Sequence, residues 1–356
     1  MVIIGITGTN GAGKGTIADY LLSSFGYSHF SVRGLLIEEL VRRGREVDRQ
    51  GLIDVANEMR AEQGPAVLVE ELYGRAVASG GNCVIESLRC PGEVEALRKK
   101  PDFYLVAVDA EQDLRFKRNS MRGSVTDNET FESFVEKEKQ EMDSKEPFKQ
   151  NISWCVANAD YLLLNNRSLN TFENNMEHFF GNLDEQGRLT RRPTYSEIAM
   201  LEAYVWSARS TCLRRKTGAV ILNEDNEGIS QGYNGSPRGI DNCIDLGYCE
   251  RQKQNIPSGQ RLEVCNAVHA EANSILNAGR QGRSVVGATM YATTYPCSLC
   301  AGLIVNSGIR KVTYDSPYPE PNGKRILSKA QEKGKIEVVR FEGVKPRAFN
   351  RLFQTA

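Results

Sequence analysis

Three residue types able to hold a metal stand in a spacing that few other roles explain. His269 lies two residues before Glu271, and the stretch Pro296-Cys297-Ser298-Leu299-Cys300 follows. One imidazole and two thiolates supply three zinc ligands. A site with three protein ligands keeps a position for water, whereas a structural site is closed by four. Thiolate and imidazole suit zinc, which lowers the pKa of a bound water to about 7. Glu271 is close enough in sequence to take protons from that water and return them to a substrate. The two-residue step between Cys297 and Cys300 lets both sulfurs turn toward one ion at the start of a helix, where free N–H groups and the dipole favour thiolate. The chain has only three histidines, His29, His178 and His269. Chance is a poor account of one of them falling here.

A second constellation lies near the other end. Gly8-Thr9-Asn10-Gly11-Ala12-Gly13-Lys14-Gly15-Thr16 follows an apolar run at 2–6 and precedes the helical pattern 17–22. This is a phosphate-binding P-loop between a strand and a helix. Its glycines, Gly8, Gly11, Gly13 and Gly15, let backbone N–H groups curl around phosphate oxygens, and the helix N-terminus adds positive potential. Lys14 would reach the β- and γ-phosphates of ATP. The hydroxyl residue that usually follows the lysine comes one place later, as Thr16. Glu86 ends the apolar run 82–86 and is a candidate carboxylate on the Mg²⁺ side of a bound nucleotide. Arg115, Arg118 and Arg122 could lie along one helix and the loop after it, placed to close over a transferring phosphoryl group. A solvated basic face is the competing account of those arginines.

These residues need elements to position them. Apolar runs at 2–6, 82–86, 102–109 and 161–165 alternate with helical stretches, which implies a parallel α/β sheet. A last helix spans 168–180, and the polar, glycine-bearing segment 181–188 is a linker. An amphipathic helix from Pro193 to about Ala208 opens the second half. Strands at 217–222 and 228–233, a helix from Ala267, a strand at 288–292, a helix from Cys297 and a strand at 311–314 follow. Two domains are therefore expected, 1–183 and 190–356.

Composition bounds the rest. The 356 residues carry 45 basic and 45 acidic side chains, a balance that argues against a large nucleic-acid footprint. No apolar run approaches a membrane span. The chain opens on a buried-strand pattern with no basic segment and cleavage site, so a cytoplasmic setting with reduced or metal-bound thiols is expected for the nine cysteines.

His-x-Glu followed by Pro-Cys-x-x-Cys is the signature of zinc-dependent base deaminases. Residues 190–356 resemble deoxycytidylate (dCMP) deaminase more closely, through the stretch 209–220 (RSTCLRRKTGAV), Gly232-Tyr233-Asn234-Gly235-Ser236-Pro237, and Cys265 ahead of His269-Ala270-Glu271-Ala272-Asn273. Residues 1–183 resemble small P-loop kinases of the dephospho-coenzyme A kinase and nucleoside monophosphate kinase kind, which share the Gly-Lys-Gly-Thr form. Glu86 departs from the aspartate expected there. The combined expectation is a P-loop kinase-like parallel-sheet domain followed by a deaminase-like α/β/α domain. The resemblance implies zinc on His269, Cys297 and Cys300, Glu271 as proton shuttle, and dCMP as substrate. It also implies a homo-oligomer under dCTP and dTTP control. Asn234 matches a pocket asparagine that holds sugar or base, and the turn carrying Ser236 is linked in the family with nucleotide contacts.

Some alternatives stay open on sequence. Arg209, Arg214, Arg215 and Lys216 are all candidates for the 5′-phosphate, with Arg215 included in the expected substrate site. Cys243, Cys249 and Cys265, with Cys212, are either buried free thiols or part of a second, structural zinc site. A base in RNA or single-stranded DNA is the competing substrate, disfavoured by the neutral charge. The P-loop half is either a working kinase or a nucleotide sensor that gates the deaminase.

Overall fold

The computed structural model describes residues 1–100, 102–122, 130–144, 146 and 149–353, without the side chain of Arg122. The chain divides into two compact units. One comprises 1–192 with 347–356, the other 193–346.

In the first unit five parallel strands run in the order β5-β4-β1-β3-β2. They are β1 (Ile3–Gly8), β2 (Ser28–Ser31), β3 (Cys83–Leu88), β4 (Phe103–Asp109) and β5 (Tyr161–Leu164). All six residues of β1 are buried, as expected of a central strand covered by helices on both faces. Helices α1 (Lys14–Phe25), α2 (Val32–Arg42), α3 (Arg49–Gln63), α4 (Val67–Ser79), α5 (Pro91–Arg98), α6 (Gln112–Arg122), α7 (Phe131–Met142), α8 (Ile152–Ala157) and α9 (Leu169–Phe180) provide the crossovers. The main core joins Ile3, Ile85, Leu105 and Leu162 from the strands to Leu40, Val55 and Leu72 from the helices.

The C-terminal tail differs from the sequence expectation, which kept 190–356 together. Residues 347–356 group with the first unit. There Arg347 Nη1 donates to Asn158 Oδ1 at 2.6 Å and Arg351 Nη1 to the Phe103 carbonyl at 2.9 Å. Two guanidiniums thus tie the tail to the end of α8 and the start of β4.

The second unit is a three-layer α/β/α sandwich. Its sheet runs β10-β9-β8-β6-β7, from β6 (Gly218–Leu222), β7 (Gly228–Tyr233), β8 (Thr289–Thr294), β9 (Lys311–Ser316) and β10 (Glu337–Arg340). β6 is antiparallel to β7 and β8, whereas β8, β9 and β10 are parallel. Side chains alternate across the sheet. Val220, Leu222 and Tyr291 pack with α10 (Tyr195–Ala208). Ile221, Met290 and Val312 face the other way, into the core under α13 (Ala270–Arg280), α14 (Ser298–Asn306) and α15 (Pro321–Glu332). Two short helices, α11 (Cys243–Leu246) and α12 (Glu250–Lys253), interrupt the long connection after β7. Among the described residues no helix is long and apolar enough to cross a membrane.

Candidate active site

Two helix N-termini build the metal-ligating corner of the second unit. His269 is the N-cap of α13, and Cys297 is the N-cap of α14, with Cys300 in its first turn. The register of α13 is set from β7. At Gly232 a Cβ would lie 2.2 Å from the Ala270 carbonyl, so only glycine allows the helix to approach this closely. Just beyond β7, Asn234 accepts the Ala270 N–H at 2.8 Å, and Gly235 and Val268 exchange backbone hydrogen bonds. Asn273 adds a side-chain bond to the Tyr233 carbonyl at 2.8 Å. The start of α14 is fixed by Glu320, a buried carboxylate that accepts from Ser298 N at 2.7 Å, Asn322 N at 2.9 Å and Gly323 N at 2.8 Å. One side chain therefore caps both α14 and α15.

The result gathers one ring nitrogen and two sulfurs. The ligand atoms of His269, Cys297 and Cys300 all lie within 4.8 Å of one another. His269 Nδ1 is 3.1 Å from Cys297 Sγ and 3.6 Å from Cys300 Sγ. Tetrahedral zinc, with sulfur at about 2.3 Å and nitrogen at about 2.0 Å, spaces its ligand atoms about 3.5 Å apart. Donor set and spacing both fit a zinc ion. Hydrogen bonding by Cys300 and then His269 holds the Cys297 thiol well below the usual thiol range, against its burial. Glu271 is buried in the first turn of α13 and lines the same cleft. Burial pushes its carboxyl up to about 7, a value suited to exchanging protons at neutral pH.

The cleft beyond these residues is cationic. Of the four phosphate candidates, Arg214 and Arg215 line it, while Arg209 and Lys216 do not. Arg215 lies over the Tyr318 ring, 5.0 Å from its centroid, and Arg209 instead bonds the Tyr233 hydroxyl at 3.2 Å. Asn234 also lines the cleft, and its amide donates to the Arg215 carbonyl at 3.3 Å. That leaves one of its two amide N–H groups for a ligand. Ser236 is not among the lining residues, and its buried hydroxyl has no partner among the described residues. Arg251, absent from the sequence expectations, lines the cleft with 4 % of its surface exposed. It holds the Pro257 and Gln260 carbonyls through Nη2. Its neighbours Arg214 and Arg215 are adjacent in sequence, but nothing in the local pattern around Arg251 announces it. Cys212, Cys249 and Cys265 line the same cleft, and burial first, then these three neighbouring sulfurs, raises the Cys243 thiol. Among the described residues the group of three ligating side chains at metal spacing is His269, Cys297 and Cys300.

In the first unit, Gly11, Gly13, Lys14, Gly15 and Thr16 line a cavity of about 470 Å³, together with Glu86 and Arg118. Gly8 precedes it at the end of β1. At Gly11 φ is +76°, and a Cβ would sit 2.6 Å from the Arg115 carbonyl, so the loop's tight curl requires glycine. Lys14 Nζ donates to the Gly8 and Thr9 carbonyls at 3.1 and 2.8 Å. Arg118 bonds Asn165 Oδ1 at 3.1 Å and keeps a buried Nη1 without a partner among the described residues. Asn119 lines the same cavity with its amide nitrogen likewise buried and unpartnered. Sequence reading missed Asn119, because an asparagine inside a basic helix carries no pattern of its own. Glu86 pairs with His29 Nε2 at 3.0 Å. That hydrogen bond raises the His29 pKa.

Arg115 departs from its expected role as a lid over phosphate. It is buried, ion-paired with Glu138, and donates to the Ala110 carbonyl at 2.7 Å and the Asn10 carbonyl at 3.3 Å. It braces the P-loop from behind, since α7 brings Glu138 against it. The side chain of Arg122 lies outside the described residues.

Comparison with known proteins finds a different family in each half of the chain. The cytidine and deoxycytidylate deaminase zinc-binding region matches residues 193–316, and an AAA domain matches residues 4–142. A deoxycytidylate deaminase of Schizosaccharomyces pombe is 29% identical over 322 residues, covering 89% of this chain and 91% of the relative. A deoxycytidylate deaminase of Enterobacteria phage T4 is 37% identical over 159 residues, covering 36% of this chain and 82% of the relative. A UPF0200 protein of Pyrococcus abyssi is 29% identical over 182 residues, covering 49% of this chain and 94% of the relative.

Proposed function

Because the chain belongs to the deoxycytidylate deaminase family, we propose that its second unit hydrolyses dCMP to dUMP and ammonia, with zinc held by His269, Cys297 and Cys300. The observation that carries this reading is the meeting of those three ligand atoms within 4.8 Å at two helix N-termini, with Glu271 buried in the same cleft. Zinc supplies a hydroxide-like nucleophile at neutral pH by acidifying water. Glu271 would take a first proton from the water and pass it to the ring nitrogen next to the amine-bearing carbon, then take the second from the hydroxyl formed on that carbon and deliver it to the departing amine. At that carbon a C–O bond forms and the C–N bond breaks.

The remaining residues orient the nucleotide. Asn234 is fixed at both ends of its amide and offers its second N–H to the sugar or base. Arg214 and Arg215, with Arg251 behind them, give the cleft the guanidiniums that a 5′-phosphate needs. The Tyr318 ring under Arg215 restricts that side chain and favours one docking geometry. This arrangement supports a free nucleotide as substrate.

For the first unit the reading is a nucleoside triphosphate in the P-loop cavity. Lys14, Arg118 and Asn119 face its phosphates, and Thr16 and Glu86 are among the oxygen donors that line the cavity and could serve Mg²⁺. The buried, unpartnered nitrogens of Arg118 and Asn119 support an anionic ligand there.

Product analysis tests the deaminase reading. Purified full-length protein with zinc should convert dCMP to dUMP without ATP and leave single-stranded oligonucleotides untouched. Inert dCMP beside a deaminated oligonucleotide would reassign the substrate while keeping the chemistry.

A further inference from the structure

On the sheet face away from the metal-ligating corner, the end of β9 carries a buried carboxylate. Side chains alternate along the strand, so Val312 faces the core under α14 while Asp315 faces α10. Asp315 is 1 % exposed and ion-paired with Lys345, itself 4 % exposed. Tyr204 of α10 donates to Asp315 Oδ2 at 2.5 Å. Burial first, then Asp315, pushes the Tyr204 hydroxyl up, which keeps it a donor. Arg340 Nε donates to the Asp315 carbonyl at 3.4 Å, and Phe341 N to the Tyr314 carbonyl at 2.7 Å. Lys345 is held in turn, because the N–H of the preceding Val344 donates to the buried Glu197 of α10 at 2.9 Å. None of Asp315, Tyr204 and Lys345 lines the cleft.

The residues that follow do reach it. Ser316-Pro317-Tyr318-Pro319 joins Asp315 to Glu320, the carboxylate that caps α14 and α15. Proline fixes φ at about −65°, so Pro317 and Pro319 each remove a soft torsion from this span. Its near end is fastened where the Tyr295 N–H donates to the Ser316 carbonyl at 2.9 Å. Its far end abuts Gly259, where a Cβ would lie 2.1 Å from the Pro319 carbonyl. Between them Tyr318 lines the cleft and carries Arg215 over its ring. Tyr318 is therefore mounted on a stiff span with a buried carboxylate at each end.

We propose that Asp315, clamped by Tyr204 and Lys345, is a positioning residue for the deaminase: it sets the Tyr318 ring, and through it the Arg215 guanidinium, for a substrate that carries a phosphate. The inference rests on the dCMP reading of the second unit. An apolar contact at the end of β9 would tolerate sliding against α10, whereas a carboxylate bonded from two directions fixes one register. The span transmits that register, because its prolines leave few torsions to absorb a shift. Arg215 depends on it twice. Cation–π attraction requires the guanidinium over the ring face, and a charge-assisted bond to phosphate requires its N–H groups aimed at the oxygens. The metal-ligating corner does not depend on it, since Glu320 holds the start of α14 through its own N–H bonds. Loss of the clamp therefore weakens recognition of the phosphate and leaves zinc and the proton transfers in place.

The test compares full-length parent protein with Tyr204→Phe, Asp315→Asn and the double variant Asp315→Asn/Lys345→Met. The double variant leaves no uncompensated buried charge, and melting temperatures check the folding of all three. Kinetics are measured with dCMP and with deoxycytidine, which lacks the phosphate, beside zinc content and hydrogen exchange at the Ser316, Tyr318 and Glu320 amides. In Asp315→Asn and the double variant, KM for dCMP should rise about tenfold with kcat kept, the mark of lost binding rather than lost chemistry. Tyr204→Phe should raise it less. Deoxycytidine turnover and zinc content should match the parent, and exchange should quicken in the span while β6 and β7 stay protected. Equal losses on dCMP and deoxycytidine with faster exchange throughout the second unit would show a merely structural role and overturn the inference. An unchanged KM in both Asp315 variants would overturn it as well. Failure of the parent itself to deaminate dCMP would instead overturn the deaminase reading, and exchange in the span would then decide whether Asp315 anchors it.

Discussion

Glu320 gives the most demanding test of how the metal-ligating corner is held. Its carboxylate accepts three backbone N–H bonds, from Ser298, Asn322 and Gly323, at 2.7–2.9 Å, and only 6 % of the residue is exposed. Glu320→Ala removes every one of these acceptors at once. A hydrogen bond to a charged group contributes about 1.5–3 kcal/mol and a lost helix cap about 1 kcal/mol. These contributions overlap, so the net loss is placed at about 3–5 kcal/mol, a large part of a domain's stability. For a unit of this size that corresponds to a fall in Tm on the order of 10 °C. Because Ser298 follows Cys297 directly, freeing its N–H also loosens the turn that aims both sulfurs. Zinc affinity should fall about 10–100-fold, as when a group supporting a metal ligand is removed. Glu320→Gln, which keeps one carbonyl acceptor, should lie between the two. Differential scanning fluorimetry and competition with a zinc chelator measure both quantities. An alanine variant that melts within 2 °C of the parent and holds zinc equally well would refute the capping argument.

Other residues allow shorter tests. Asn234→Ala should raise KM for dCMP and cost about 1 kcal/mol of stability through the uncapped Ala270 N–H, read by steady-state kinetics and thermal melts; Asn234→Asp should restore the cap without restoring KM. Lys14→Ala should weaken Mg·ATP about tenfold to hundredfold, the range for charge-assisted hydrogen bonds, measured by titration calorimetry. The hydrogen bond to Glu86 raises the His29 pKa. The pair's contribution is therefore fully present below about pH 6.5 and is lost as pH rises through the raised value. In Glu86→Gln the His29 titration, followed by NMR, should move down, and an unchanged midpoint would remove the pair as its cause.

Much of the site was legible because its chemistry is local in sequence. His269 and Glu271 are two residues apart, the cysteines three apart, and the P-loop is one run of nine residues; each pattern fixes its own geometry through a helix start. The alternating strands and helices of both units also follow from apolar periodicity. What escaped was set by long-range packing. β2 is four residues, Ser28–Ser31, none of them fully buried, so no apolar pattern marks it. Arg115 and Arg118 share a helix, yet Glu138 from α7 captures the first, while the second lines the P-loop cavity. Glu320 lies 22 residues beyond Ser298, and its role appears only once α15 folds back on the cysteine turn, where a Cβ on Gly323 would sit 2.5 Å from the Pro296 carbonyl. Sequence continuity places the tail from Arg347 with the second half, whereas its arginines bond to the end of α8 and the start of β4 in the first unit.

The central claim is that zinc on His269, Cys297 and Cys300, with Glu271 moving protons, deaminates dCMP. The most direct measurement compares zinc content and dUMP formation in the parent protein and in Glu271→Gln. The account predicts equal zinc in both and a loss of turnover of about 10²–10⁴-fold in the variant, the range for a general acid–base group. A zinc-loaded parent that leaves dCMP unchanged, or a variant that turns it over at the parent's rate, would contradict it.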